Sequence, residues 1–376
     1  MEAVQAPDRP QTTAIFAVAG TDDRSAGSPR RFHDETQGVE RGDASGTPDR
    51  PRALVVMSPP HLAELIFAGG LAADLALLVE IPGGAVLDRF DSPAAESALA
   101  EAQILITGWG CPPITPQVLG AAPRLRAIVH AGGSAAQLLT EPEGARALLL
   151  SNAGEPNALP VAEYAVAMIL LAGKDATGAE RLYRERRTHL DREIEFAHTG
   201  NFRRTVGVVG ASRVGRRVLR LLREFDLEVL LHDPYVDAGQ LGVEGVPLDE
   251  LMRRSDVVTL HQPVTPETIG MIGSDELALL RDGATLINTA RGEVLDQDAL
   301  LAELRGGRLR AVLDVTTPDP LPPEHPLWDV PNLTLTPHIA GSTGSELRRL
   351  GQHVVDEVTR LVAGRLPLVL EHGDQR

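Results

Sequence analysis

The sequence predicts an α/β protein built as two doubly wound parallel-sheet domains. Three observations predict it. Short runs of Val, Leu, Ile and Ala alternate with longer amphipathic stretches from residue 53 onwards; the alternation occurs in two series; and the second series opens on a strand, a glycine-containing turn and a helix start. Aromatic residues make up only 3% of the chain, so its core must be aliphatic, which suits buried parallel strands with helices over both faces.

The 376 residues leave room for about two domains. Residues 1–51 are rich in Asp, Arg, Gly, Ser, Thr and Pro and carry one short apolar patch at 14–19. They read as a disordered extension, because that composition buries too little surface to offset chain entropy. The first series then gives strands at 53–57, 104–107, 126–130 and 148–151, with helices at 61–67 and 92–100. A long helix is expected over 160–173, with Pro160 near its first turn and a glycine closing it. Its nearly all-apolar surface predicts burial. The second series gives strands at 206–209, 228–232, 256–261, 284–288, 310–315 and 333–336, and a helix at 345–363 closes the chain. The expected domains are 52–154 together with 340–376, and 155–339.

Composition narrows the function. A net charge of −16 argues against nucleic acid or an anionic membrane as partner, and an anionic ligand would need its own local positive charge. With Cys111 as the single cysteine, an internal disulfide and a cysteine-based metal site are excluded, and no metal is expected. Cys111 itself reads as inert, since nothing nearby in sequence would lower its pKa. The longest apolar run, about 164–173, is too short to cross a bilayer, and the N-terminus lacks a basic start followed by an apolar stretch. A cytoplasmic protein is expected.

Residues 206–215 read as strand, tight turn and helix start, followed by helical apolar spacing at Val214, Val218, Leu221, Leu222 and Phe225. In a dinucleotide-binding turn Gly210 would make the bend and Gly215 would let helix and strand pack closely. A pyrophosphate would rest on the helix N-terminus at Ser212, Arg213 and Val214. Ser212 stands where a second glycine is usual; its hydroxyl either donates to a phosphate oxygen or crowds the cofactor. Asp233 ends the next strand, 18 residues after Gly215. An acid there accepts from the adenosine ribose hydroxyls and disfavours the extra phosphate of NADP, so NAD is the expected cofactor. The plain alternative for Asp233 is a turn former before Pro234.

The later strands end in polar residues: His261 with Gln262 and Pro263, then Thr289, Ala290, Arg291 and Gly292, then Asp314, and last Thr336, Pro337 and His338. Ligands of open α/β sheets bind outside these carboxyl ends. Reducing a 2-oxo acid takes a cation to anchor the carboxylate and polarise the carbonyl, which suits an arginine fork. It also takes a proton donor titrating near working pH, which suits histidine, and a carboxylate to orient the imidazole. Arg291, His338 and Asp319 are the candidates. Each has a bland alternative as a surface residue, among 36 Lys and Arg and 11 His.

Several segments in order carry a resemblance: Pro160-Val161-Ala162-Glu163-Tyr164, residues 207–215, His261-Gln262-Pro263-Val264-Thr265-Pro266-Glu267-Thr268, Asn288-Thr289-Ala290-Arg291-Gly292, Leu313-Asp314-Val315, His325-Pro326-Leu327-Trp328 and Thr336-Pro337-His338-Ile339-Ala340-Gly341. Over about residues 53–365 the chain resembles the D-isomer-specific 2-hydroxyacid dehydrogenase family, which includes phosphoglycerate dehydrogenases and glyoxylate/hydroxypyruvate reductases. The resemblance implies an NAD-binding Rossmann domain plus a flavodoxin-like substrate domain. It implies hydride transfer between nicotinamide and C2 of a small 2-hydroxy or 2-oxo acid of D configuration. Arg291 would match the catalytic, substrate-binding arginine, His338 the acid/base, and Asp314 the residue that holds the nicotinamide carboxamide. The cofactor would also meet His261, Pro263, Thr289, Ala290 and His338.

The family's carboxylate partner for the histidine falls on Asp319, where members usually carry glutamate. The shorter side chain withdraws the carboxylate by roughly 1.5 Å, so either the loop moves in or the pair loosens. An acid at that position argues against formate as substrate. Gly132, Gly133 and Ser134 match a turn whose backbone N–H groups bind the substrate carboxylate, although a plain turn would use glycine as readily. The family's regulatory C-terminal domains are not expected here, and a homodimer through the cofactor domains is. The rival reading is a non-catalytic NAD(H)-sensing protein like the family's transcriptional corepressors; a further rival is an enzyme for another substrate, such as a phosphonate.

Overall fold

The aliphatic runs form strands and the amphipathic stretches form helices laid over them. In the computed structural model residues 15–16, 50–141 and 147–370 are described. The chain divides into two units, one comprising residues up to Ala153 and from Leu347 on, the other Gly154–Glu346. The first unit begins β1 (Ala53–Val56), α1 (Leu62–Ile66), α2 (Leu71–Leu78), β2 (Val86–Leu87), α3 (Pro93–Glu101) and β3 (Ile104–Thr107). It continues through α4 (Pro116–Ala121), β4 (Ala127–His130) and β5 (Leu149–Asn152). The second unit opens with α5 (Gly154–Gly173), α6 (Ala176–Arg186), α7 (Arg192–Glu195), β6 (Arg204–Val209), α8 (Arg213–Leu222) and β7 (Leu227–His232). Then come β8 (Glu244–Gly245), α9 (Leu248–Arg254), β9 (Val257–Leu260), α10 (Ser274–Leu279) and β10 (Thr285–Asn288). It ends with α11 (Gln297–Arg305), β11 (Arg310–Leu313) and β12 (Leu333–Leu335), before α12 (Leu347–Val362) rejoins the first unit.

Both sheets are parallel throughout, in the orders β2-β1-β3-β4-β5 and β12-β11-β10-β9-β6-β7-β8. The central strands are buried on both faces, as continuous aliphatic runs require. In the second sheet the chain runs outward from β6 to β8, then returns to the other side of β6 at β9. That reversal opens a crevice at the carboxyl ends of β6 and β9, the usual place for a ligand in such sheets.

Three expectations need correction. The helix expected from Pro160 starts at Gly154, directly after β5, and Pro160 sits inside it. The bond that proline cannot donate is offset by burial of Ala162, Ala165, Val166 and Ile169 in a core shared with α8. At 20 residues α5 has the length and apolarity to cross a membrane, unlike the run of ten read from the sequence, but those side chains make it a core helix. Residues 340–346 stay with the second unit, because Asp314 holds the N–H of Ala340 and Asn157 holds that of Ser342.

The third correction concerns the N-terminal extension, most of which lies outside the described residues. Ile15 and Phe16 are described, and both donate their backbone N–H to the carbonyl of Gly84. Phe16 is 5% exposed, its ring 5.5 Å from that of Phe67 in edge-on contact. Ile15 and Phe16 thus anchor in the first unit's core. The C-terminal segment is tied down too: the buried Glu357 accepts from the Ser151 hydroxyl at 2.8 Å and from the Leu368 N–H at 3.0 Å. Truncating Phe16 to Ala should cost about 3 kcal/mol in the first unit's unfolding transition, read by urea denaturation. An unchanged transition would mean that the ring does not occupy this core.

Candidate active site

The crevice is lined first by the turn after β6. Ser212 is the N-cap of α8: its hydroxyl accepts from the Gly215 N–H at 3.3 Å, so the serine in the glycine position serves the helix itself. Its hydroxyl hydrogen stays available to a ligand. Asp233, just past β7, accepts from the Ala211 N–H at 2.7 Å and from the Tyr235 N–H at 2.9 Å. Each carboxylate oxygen therefore fixes one neighbouring loop and keeps a second lone pair. Arg213 pairs with Glu155 of α5 at 3.4 Å, so its guanidinium faces that acid.

His261 is turned into the protein. It is 4% exposed, its Nε2 lies 2.9 Å from the Thr259 hydroxyl, and burial lowers its pKa from 6.5 to about 3. It is neutral, and unsuited to proton transfer near neutrality. The amide of Gln262, the hydroxyl of Thr289 and Nδ1 of His261 are buried without a hydrogen-bond partner. Three orphaned polar groups at the ends of two adjacent strands are costly unless something satisfies them.

The second cluster lies where β10, β11 and β12 end side by side. Asp314, 2% exposed, accepts from the Thr336 hydroxyl at 2.6 Å and from the N–H groups of Ile339 and Ala340, both at 2.8 Å. His338 donates its own N–H to the carbonyls of Asp314 and Thr336, both at 3.0 Å. Between these bonds His338 takes φ 55°, a left-handed conformation that costs a non-glycine residue on the order of 1–2 kcal/mol. Its Nδ1 lies 2.8 Å from the Asp319 carboxylate. The pair is therefore within hydrogen-bond reach despite the short side chain. An ionised carboxylate only accepts, so Nδ1 carries the proton and Nε2 is left for a ligand.

Arg291 follows β10 and is exposed, with one N–H donated to the carbonyl of Ala290 at 2.7 Å. The turn that carries it is pinned by Asn288, whose amide donates to the Arg291 carbonyl at 2.7 Å and accepts from the Ala290 N–H at 3.0 Å. The Asp319 loop packs onto this turn: a Cβ on Gly292 would lie 2.2 Å from the Thr317 hydroxyl and 2.3 Å from the Thr316 carbonyl. Gln297 of α11 clamps the same loop, donating to the Thr317 carbonyl at 2.5 Å and accepting its N–H at 2.9 Å. Asn288, Gln297 and Tyr164, whose hydroxyl lies 2.9 Å from that of Thr336, are absent from the sequence-derived site. The only signal for Asn288 and Tyr164 was that they sit inside the quoted segments.

In the first unit, Gly132, Gly133 and Ser134 follow β4. Gly132 lies against the His130 ring, where a Cβ would stand 2.3 Å from Nε2, so the turn admits no side chain there. Cys111 is buried, and burial pushes its thiol to about 12, which agrees with an inert cysteine.

The sequence model described as D-isomer specific 2-hydroxyacid dehydrogenase, NAD binding domain, matches residues 166–340. The chain is 35% identical over 282 residues to D-3-phosphoglycerate dehydrogenase of Mycobacterium bovis, covering 74% of this chain and 52% of that relative. It is 32% identical over 260 residues to glyoxylate reductase of Korarchaeum cryptofilum, covering 68% of this chain and 78% of the relative. It thus spans about half the length of the curated phosphoglycerate dehydrogenases it matches. Its fold is similar to that of D-lactate dehydrogenase from Aquifex aeolicus, solved with NAD and lactic acid, at a TM-score of 0.66 and 27% identity, covering 83% and 96% of the two chains.

The buried imidazole at the end of β9 gives this site a pH signature in stability. His261 titrates near 6.5 when unfolded and near 3 when folded, so the unfolded chain binds more protons in that window and stability falls as pH falls through it. Relative to the wild type, His261→Gln should gain up to about 1.4 kcal/mol per pH unit as pH drops below about 6.5, measured by urea denaturation. A difference independent of pH would show that the folded imidazole is not held neutral.

Proposed function

Starting from the fact that this chain belongs to the D-isomer-specific 2-hydroxyacid dehydrogenase family, we propose that it is an NAD-dependent oxidoreductase acting at C2 of a small 2-hydroxy or 2-oxo acid. The observation that carries the reading is the His338–Asp319 pair at 2.8 Å, held on the strand end two places from Arg291 in the domain that matches NAD binding.

The residues present fit the cofactor. The first turn of α8 offers helix N–H groups and the Ser212 hydroxyl hydrogen to a pyrophosphate. The spare lone pairs of Asp233 suit ribose hydroxyls, which supports NAD over NADP. The orphaned Thr289 hydroxyl, next to Ala290, and the buried His261, close to Pro263, stand at the ends of the adjacent strands β10 and β9. Asp314 keeps one lone pair on the oxygen that binds Ala340, enough to accept from a carboxamide. When bound, NAD supplies or accepts the hydride.

Arg291 keeps most of its guanidinium N–H groups for a carboxylate and the adjacent carbonyl oxygen. His338 gives the proton from Nε2 to that oxygen during reduction and takes it back during oxidation. Asp319 stabilises the imidazolium and holds the tautomer. In the first unit, the Gly132-Gly133-Ser134 turn is proposed as a backbone element for binding a carboxylate. A dimer through the cofactor domain and a cytoplasmic location belong to the same proposal.

The test is loss of NADH absorbance with a panel of 2-oxo acids that includes 3-phosphohydroxypyruvate, glyoxylate, hydroxypyruvate, pyruvate and phenylpyruvate. Turnover is expected on at least one. His338→Ala should lower kcat by about 10²–10⁴-fold while leaving the NADH Kd nearly unchanged. Arg291→Lys should raise KM for the acid by about tenfold or more, since a point charge replaces a fork. Tight NADH binding with no turnover across the panel would sink the reading.

A further inference from the structure

The bonds around Asp314 have a direction. Its carboxylate accepts only, so the Thr336 hydroxyl spends its single hydrogen on it at 2.6 Å. At the 2.9 Å contact between Thr336 and Tyr164 the donor must then be the tyrosine. A one-way chain results, from the Tyr164 O–H through the Thr336 O–H to Asp314, whose carboxylate gathers the N–H groups on the far side of His338. Tyr164 is on α5, 172 residues from Thr336 in sequence. Burial and the Asp314 charge push the Tyr164 phenol upward against the opposing pull of the Thr336 bond, so the phenol keeps its proton as a donor at neutral pH. Hydrogen bonds in such a chain polarise and strengthen one another.

We propose that Tyr164 and Thr336 are positioning residues for His338, setting the left-handed turn that presents its imidazole to Asp319. The inference rests on the acid/base reading of His338. Neither residue touches the reacting atoms; both act through Asp314 and the backbone of the turn. Removing the Thr336 hydroxyl leaves the carboxylate a donor short and the phenol without its acceptor. Removing the phenol O–H weakens the chain at its far end only.

The experiment compares Thr336→Val, Thr336→Ser and Tyr164→Phe with His338→Ala in the full chain. It measures kcat, KM for the 2-oxo acid, and NADH Kd by fluorescence titration. Thr336→Val should lower kcat about tenfold to hundredfold with NADH Kd within about threefold of wild type. Thr336→Ser should restore kcat to within about threefold, and Tyr164→Phe should lower it about threefold to tenfold. If Thr336→Val fails to fold, Tyr164→Phe decides alone. Unchanged kcat in Tyr164→Phe and Thr336→Val, beside an inactive His338→Ala, overturns the positioning role and leaves the acid/base reading standing. Full activity in His338→Ala overturns both.

Discussion

A carboxylate buried at the end of a parallel strand must collect donors, and Asp314 collects its donors from the chain on both sides of His338. Three bonds from Thr336, Ile339 and Ala340 converge on it. Charge-assisted bonds of this kind exceed the cost of one left-handed residue, which is why the chain accepts φ 55° at a histidine. The turn thus made holds the imidazole on Asp319. Strain is stored at a residue whose orientation the proposed chemistry needs, and the bonds to Asp314 hold it there.

The rest of the second unit follows the same economy of placing polar groups at strand ends. Asp233 ties the turn after β6 to the loop after β7, and Ser212 closes the start of α8. Asn288 pins the Arg291 turn, Gln297 clamps the Asp319 loop, and the two segments pack against each other at Gly292. Arg291 and Asp319 therefore sit on supports that touch, and Asp319 meets His338 directly. At Gly292 the two loops approach so closely that no side chain fits.

Much of this was legible in the chain. Central parallel strands announce themselves as unbroken aliphatic runs, so 104–107 and the cores of the others fall where expected. The pairing of Asp319 with His338 came from the family resemblance, since their spacing alone leaves both as plausible surface residues. What escaped reading depends on contacts distant in sequence. Phe16 lies in an apolar patch too short to stand out from its polar surroundings, and its partner Phe67 gives no local hint. Gln297 meets Thr317 across a helix–loop boundary, and Tyr164 meets Thr336 from a helix whose other residues are mostly core. The early start of α5 was hidden by Pro160, a residue that marks a first turn in most helices but lies mid-helix here.

The most direct test is a high-resolution crystal structure of Asp314→Asn. The substitution keeps the shape but sets an NH2 donor against one of the converging N–H groups. In this variant His338 should leave the left-handed region and its Nδ1 should move out of hydrogen-bond reach of Asp319, with both sheets unchanged. A variant whose His338 turn and imidazole superimpose on the native ones would show that the buried carboxylate is not what holds them.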